Sequence, residues 1–426
     1  MDTRDGWKGS PNGSTEAMLD NSTLPNVPGG SLSMIVVEDN YTWRKMIPFW
    51  RAYRPWFAER GFHLFEPIPD DYKNGYIFPQ PTQCPPALPY AKYVDIEPET
   101  SKQLTPFARF APARDAHTRD VMIKLVKKDS DEYHVYQELL SCSHSSGADF
   151  QGALPPVAIF DSYHDFSFVV MPMWGYYAPI ETLDTVGAIL SLMRCLLKGL
   201  AFLHSRRIVH RDIDCHNIMV NYYSFGLYGK KFYHAVEEHR RGPDAVHCLM
   251  DYDRSLKLPS YTSLDTCRLP AEAALVSGTP YRPPDFNLAE YDYNPFAYDV
   301  GCLGNMFRIT YSDIVPIVPM LAPLFDQMTT YVISERFKAA DAFAFFEDAT
   351  RQLPSSVLDM PVELEPDWDC LADSSLYWAK LPSDFCATPG LYRTPPPSLA
   401  RRLLNAVAGY TVGWKILIFL RRVFRV

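Results

Sequence analysis

The stretch Ile208-Val209-His210-Arg211-Asp212-Ile213-Asp214-Cys215-His216-Asn217-Ile218-Met219-Val220 decides how the rest of the chain is read. An apolar pair leads into His-Arg-Asp, and an Asn stands five residues after Asp212, just before a second apolar run. The apolar segments read as short strands and the polar residues between them as a loop. Such a loop places a carboxylate where it accepts a proton from an incoming hydroxyl, and brings an amide oxygen within reach of a divalent ion. Upstream, Val186, Ile189, Leu192, Leu196, Leu200 and Leu203 recur three or four residues apart, with Leu190, Met193 and Leu197 beside them. This register predicts a long, largely buried helix that feeds directly into the loop and gives it a rigid base.

Downstream, Val246 to Met250 is apolar and strand-like and delivers Asp251-Tyr252-Asp253. Residues 222–244, with a charged run from Glu237 to Arg241, read as a surface elaboration of a hairpin. An Asp at the end of a buried strand suits a metal ion, although it is equally an ordinary turn residue. A polar, irregular segment then leads to Gly278-Thr279-Pro280-Tyr281-Arg282-Pro283-Pro284-Asp285. Tyr298-Asp299-Val300-Gly301-Cys302-Leu303-Gly304 opens a helix, where Asp299 either bonds the backbone of the His-Arg-Asp loop or caps its own helix. Further helices are expected through Phe307, Leu321 to Phe325, Val332, and Phe337 to Phe346.

On the N-terminal side, Phe107 to Phe110 and Val121 to Val126 read as two strands joined by a turn over Pro112 to Asp120. Lys124 sits inside the second, in Val-Met-Ile-Lys, where an unpaired ammonium would be costly. Glu132 shares a helical face with Val135, Tyr136 and Leu139, whereas Glu138 falls on another face. Val157 to Phe160 and Phe166 to Met171 are the next strands and end in the extended link Met171-Pro172-Met173-Trp174-Gly175. Earlier still, Tyr41 to Phe65 is dense in aromatic residues at helical spacing. It predicts core-packing helix ending near Gly61, either in two pieces or kinked at Pro48 and Pro55. Residues 66–105 are Pro-rich and irregular, with a short strand within Tyr90 to Ile96.

The bulk numbers exclude some classes. A net charge of −9 argues against a nucleic-acid partner held through phosphates. The first thirty residues are polar and read as a disordered tail with no secretory signal. Scattered cysteines without a C-x-x-C pair read as reduced thiols, so an intracellular location, cytoplasmic or nuclear, is expected. Residues 351–401 are Pro-rich and acidic and read as a linker or tail. Residues 402–426 read as one C-terminal amphipathic helix, too short and too charged to span a bilayer. It lies in a membrane face, packs on the protein or a partner protein, or hangs free.

Taken in order, Lys124, Glu132, His210-Arg211-Asp212, Asn217, Asp251, Pro284-Asp285, Asp299 and Arg336 make the chain resemble the eukaryotic-type protein kinase superfamily. Within it, the chain is similar to divergent fungal kinase-like proteins with an N-terminal extension. The resemblance spans Pro106 to Thr350. It implies an α+β, two-lobed protein-kinase-like fold, with a small, mainly antiparallel β N-lobe (106–172) and a larger, mainly helical C-lobe (173–350), preceded by a helical extension (31–105). It further implies ATP and Mg2+ as cofactors and a protein substrate or partner. In that reading Asp212 orients the acceptor hydroxyl and takes its proton, and Lys124, paired with Glu132, holds phosphates. Asn217 and Asp251 hold magnesium. Met171 guards the back of the adenine pocket, with Met173 beside it. Pro284-Asp285 ends the activation segment, with Arg336 as partner to Asp285.

Three departures bear on activity. No glycine occurs from Phe107 to Asp120, Asp214 stands where serine/threonine members carry Lys, and Asp253 replaces the Gly after Asp251. Asp214 puts repulsion where charge stabilisation is most of the catalysis. Two expectations follow: an ATP-dependent protein serine/threonine kinase, or a pseudokinase scaffold that binds nucleotide weakly or not at all.

Overall fold

Aromatic side chains join the first helix to the sheet beneath it. In this computed structural model α1 (Asn40–Ala58) runs through both prolines as one helix and ends before Gly61, whose φ is +79°. Its buried face carries Phe49, Trp50, Tyr53, Trp56 and Phe57. Phe57 and Tyr53 lie 4.8 and 4.9 Å from the Phe168 ring, and Trp56 meets Phe160. The structure describes residues 21–32, 40–68, 75–79, 87–94, 103–104, 108–142, 150–176, 180–224, 238–242, 244–273, 278–283, 290–381, 385, 392–394 and 398–424. Most of the N-terminal tail, Asp285, and residues 225–237 of the 222–244 elaboration lie outside these.

The sheet under α1 has five antiparallel strands: β1 (Phe62–Leu64), β2 (Phe110–Asp115), β3 (Asp120–Lys127), β4 (Ala158–Asp161) and β5 (Phe166–Pro172), in the order β1-β2-β3-β5-β4. The β3–β5 register sets Lys124 opposite Val169 and Met122 opposite Met171. β5 is buried along its whole length, as expected for a strand with neighbours on both edges and layers on both faces. The connection between β2 and β3 is shorter than the sequence suggests. Pro112 lies inside β2, and the turn is only Ala116 to Arg119. Pro112 is tolerated because its carbonyl accepts from Phe65 N on the β1 side. Its ring nitrogen faces that same side, away from β3, so the β2–β3 ladder loses no bond and only the pairing with β1 stops there. α2 (Asp131–Cys142) packs on this sheet and buries Tyr133, Val135, Tyr136 and Leu139.

The helical part is built on two helices. α3 (Val186–Ser205) is capped by Thr185, which accepts from Ala188 N, and buries the Val186-to-Leu203 register. α4 (Pro295–Tyr311) is buried on nearly every side and is capped by Asn294, which accepts from Phe296 N and Ala297 N. α5 (Leu321–Thr329) and α6 (Ala339–Thr350) pack beside them. Between the two parts, β6 (Gly175–Tyr176), β7 (Ile218–Val220) and β8 (His247–Leu249) form a small antiparallel sheet. Lys92–Tyr93 pairs in parallel with Tyr222–Tyr223 at its edge. The protein is thus α+β, with an antiparallel sheet and packed helices.

Two C-terminal segments differ from expectation. Residues 351–401 are not simply a linker, because the short helices α7 (Ser355–Leu358) and α8 (Ser375–Trp378) accompany buried Cys370, Tyr377 and Trp378. Asp326, inside the core, accepts from Trp378 Nε1 at 3.0 Å and from Thr394 N at 3.0 Å. Apolar aromatic area and a buried carboxylate needing donors together hold this stretch down. The last helix is broken in two, α9 (Leu399–Ala408) and α10 (Thr411–Phe424), bent 115° apart. Gly413 makes the elbow possible, since a Cβ there would stand 2.0 Å from the Val407 carbonyl oxygen.

Candidate active site

Lys124, on β3, is buried with two carboxylates around it. Its Nζ lies 2.6 Å from Glu132 Oε1 and 2.7 Å from Asp251 Oδ1. Burial alone would lower the ammonium pKa, but Asp251 and Glu132 outweigh it and raise it well above the ordinary value. Lys124 in turn holds the Asp251 carboxyl below the usual range, against the opposing effect of burial. Glu132 goes the other way: burial raises its pKa more than Lys124 lowers it. Glu138 is not the partner of Lys124. It faces Arg206 at 3.7 Å and Lys257 at 3.4 Å.

The His-Arg-Asp loop is held from beneath by Asp299. Its Oδ2 accepts from His210 N and its Oδ1 from Arg211 N, both at 2.7 Å, and His204 Nε2 donates to Oδ2 at 3.1 Å. Of the two roles open to Asp299, the structure shows the bond to the loop, and Asn294 does the capping. Arg211 adopts φ +67° and Asp251 φ +65°, conformations uncommon for residues with a side chain. These bonds fix the loop at the strained Arg211.

Two further bonds strap this loop to the segment carrying Asp251. His210 Nε2 donates to the Met250 carbonyl at 3.0 Å, while its Nδ1 accepts from Asp212 N at 3.3 Å. Met250 N donates to the Asn217 carbonyl at 3.0 Å. Asn217 Nδ2 donates to the Asp212 carbonyl at 2.9 Å and to Asp212 Oδ2 at 3.1 Å. The side-chain nitrogen of Asn217 is thereby spent, and its amide oxygen is what it has to offer a cation. Asp251 is ionised and its side chain one-third exposed. These two oxygen donors are the residues that could hold a hard divalent ion such as magnesium.

Met171 and Met173 are both buried. The Met173 N–H is already taken by the Asp120 carbonyl at 3.0 Å. Asp214 accepts from His216 N and Nδ1, at 3.0 and 2.7 Å, and caps the short 3-10 turn Cys215–Asn217. The Asp253 carboxyl is pushed up by burial and by Asp251. Arg336 is buried and donates to the Thr330 and Ala297 carbonyls. Its expected partner, Asp285, lies outside the described residues.

Several polar contacts at the site lie outside the expectations drawn from the sequence. Thr279 Oγ1 donates to the Ile213 carbonyl at 2.6 Å, tying the later segment to the loop. The turn between β2 and β3 is pinned by Asp115, whose Oδ1 accepts from His117 N at 2.9 Å and Arg119 N at 2.8 Å. Thr118 N donates to the Asp115 carbonyl, and Tyr223 Oη donates to Asp120 at 2.8 Å. The Thr279 and Tyr223 contacts join segments far apart in the sequence, whereas the Asp115 bonds make a local Asx-type turn.

No protein-family model matches the chain. A 34-residue segment is 53% identical to a protein of Oryza sativa subsp. japonica named probable serine/threonine-protein kinase WNK8. That match covers 8% of this chain and 6% of the rice protein, a small fraction of either. It points to a relationship with kinases without placing the chain in a family.

Proposed function

We propose that the chain is an ATP- and magnesium-dependent protein serine/threonine kinase with a two-lobed kinase-like fold, transferring the γ-phosphoryl group to a protein hydroxyl inside the cell. The observation that carries this reading is the convergence of Lys124, Glu132 and Asp251 in one ion-paired group, strapped through Met250 to Asp212 and Asn217. Lys124 binds phosphate oxygens once its carboxylate partners have fixed its position. Asp251 and Asn217 present the oxygens for magnesium, which supplies charge neutralisation on the phosphates when bound. Asp212, oriented by Asn217, receives the proton of the acceptor hydroxyl. Met171 and Met173 line the adenine side.

One observation favours a second reading, a pseudokinase scaffold. Asp253 stands beside Asp251, and burial together with that neighbour pushes its carboxyl pKa up, so a second acidic group sits where the phosphates would lie. The decisive experiment is transfer of labelled phosphate from ATP by the purified full chain, to itself or to a generic protein acceptor. Magnesium-dependent transfer is expected to fall at least about 100-fold in Asp212→Asn and in Asp251→Asn. Absence of transfer, together with no ATP-induced shift in melting temperature, sinks the kinase reading. A magnesium-dependent shift without transfer supports the scaffold.

A further inference from the structure

The C-terminal elbow presents a bare apolar face. Among the described residues, 11 of the 19 exposed large hydrophobic side chains lie on α9, α10 and the junction between them. Leu399, Leu403 and Val407 recur at every fourth position on α9. Val412, Ile416, Phe419 and Val423 form the matching stripe on α10, with Phe419 65% exposed. The opposite face of the elbow is already used. Arg401 stacks over the Tyr331 ring at 4.5 Å, and Arg421 lies 3.9 Å from Glu290. The elbow is therefore seated on the helical part by one side and shows its other apolar side outward.

Charge decides what covers it. Residues 398–426 contain Arg401, Arg402, Lys415, Arg421, Arg422 and Arg425 and no Asp or Glu, in a chain of net charge −9. Pairing of the apolar stripe with its own copy would set Arg402 and Lys415, which border it, against like charges on the second copy. Seating it elsewhere on a second copy needs an apolar acceptor, and the eight other exposed large hydrophobics among the described residues are spread from Ile77 to Tyr392. An anionic lipid surface meets both demands. It takes the apolar stripe into the acyl boundary and attracts Arg and Lys at the headgroups. By position on the helix, Arg402 and Lys415 border the stripe, where long cationic chains snorkel. Neither arm is long enough to cross the hydrocarbon core: 10 and 14 helical residues reach only about 15 and 21 Å. The bend lets both lie in one plane.

We propose that α9 and α10 form an in-plane anchor that docks this protein on the surface of a bilayer rich in anionic lipid. The test is sedimentation of the full chain with vesicles of phosphatidylcholine alone and with about 30% phosphatidylserine. Binding is expected to the anionic vesicles at least about tenfold above the neutral ones, to fall about fivefold with Lys415→Gln and more with Lys415→Glu, and to fall with added salt. Ile416→Glu and Phe419→Glu should abolish it while leaving the melting temperature unchanged, because both side chains face solvent. No difference between the vesicle types, or loss of a dimer in Phe419→Glu with no vesicle binding by the parent chain, overturns the proposal.

Discussion

Lys124 and Asp251 stand 127 residues apart in the chain and meet at 2.7 Å. Glu132 reaches the same ammonium from α2, so three segments close around one buried cation. Each carboxylate loses hydration on burial; Lys124 outweighs that cost for Asp251 and offsets only part of it for Glu132.

Removing Lys124 should therefore cost more than a surface ion pair does. Lys124→Met leaves the largely buried Glu132 and the one-third-exposed Asp251 without a cation, and we expect a loss of about 2–3 kcal/mol in urea unfolding. Glu138→Gln, which breaks only the longer contacts to Arg206 and Lys257, should cost less than about 1 kcal/mol. Equal losses in the two variants would mean that Lys124 and its partners are not the buried keystone of the site.

A second prediction concerns acid. His247, on β8, is fully buried beside Arg240, and both effects push its pKa from 6.5 down to about 3. The folded state then binds fewer protons than the unfolded chain between those values. Stability from this group is present above the unfolded value and is lost as pH falls. Between pH 7 and 5 the parent chain should lose about 2 kcal/mol more than His247→Leu. Parallel pH profiles for the two proteins would show that the ring does not remain neutral in the fold.

Close backbone approach gives a third. A Cβ on Gly199 of α3 would lie 2.3 Å from the Gly152 carbonyl oxygen, which itself accepts from Leu249 N at 2.9 Å. Gly199→Ala should gain about 1 kcal/mol of helix propensity and still be destabilising by about 2 kcal/mol, because neither backbone can yield freely. Gly278→Ala, where the added methyl meets nothing within 4 Å, should stay within about 0.5 kcal/mol of the parent. A stabilised Gly199→Ala would mean that α3 does not approach the Gly152 backbone this closely.

The linear order of residues by itself determined what local chemistry dictates. Apolar repetition gave α3 its register, the aromatic spacing gave α1 its buried face, and the cost of burying an ammonium required a carboxylate for Lys124. The run from His210 to Asn217 put Asp212 and its amide neighbour on one loop. Helical phase already favoured Glu132 over Glu138, and tertiary structure settled the pairing by turning that face toward β3. It alone decided that Asp299 serves the loop rather than its own helix, and that Met250 is strapped to both His210 and Asn217. Those outcomes depend on hydrogen bonds and backbone approaches between distant segments. Such contacts depend on directions in space that no local pattern of residues encodes.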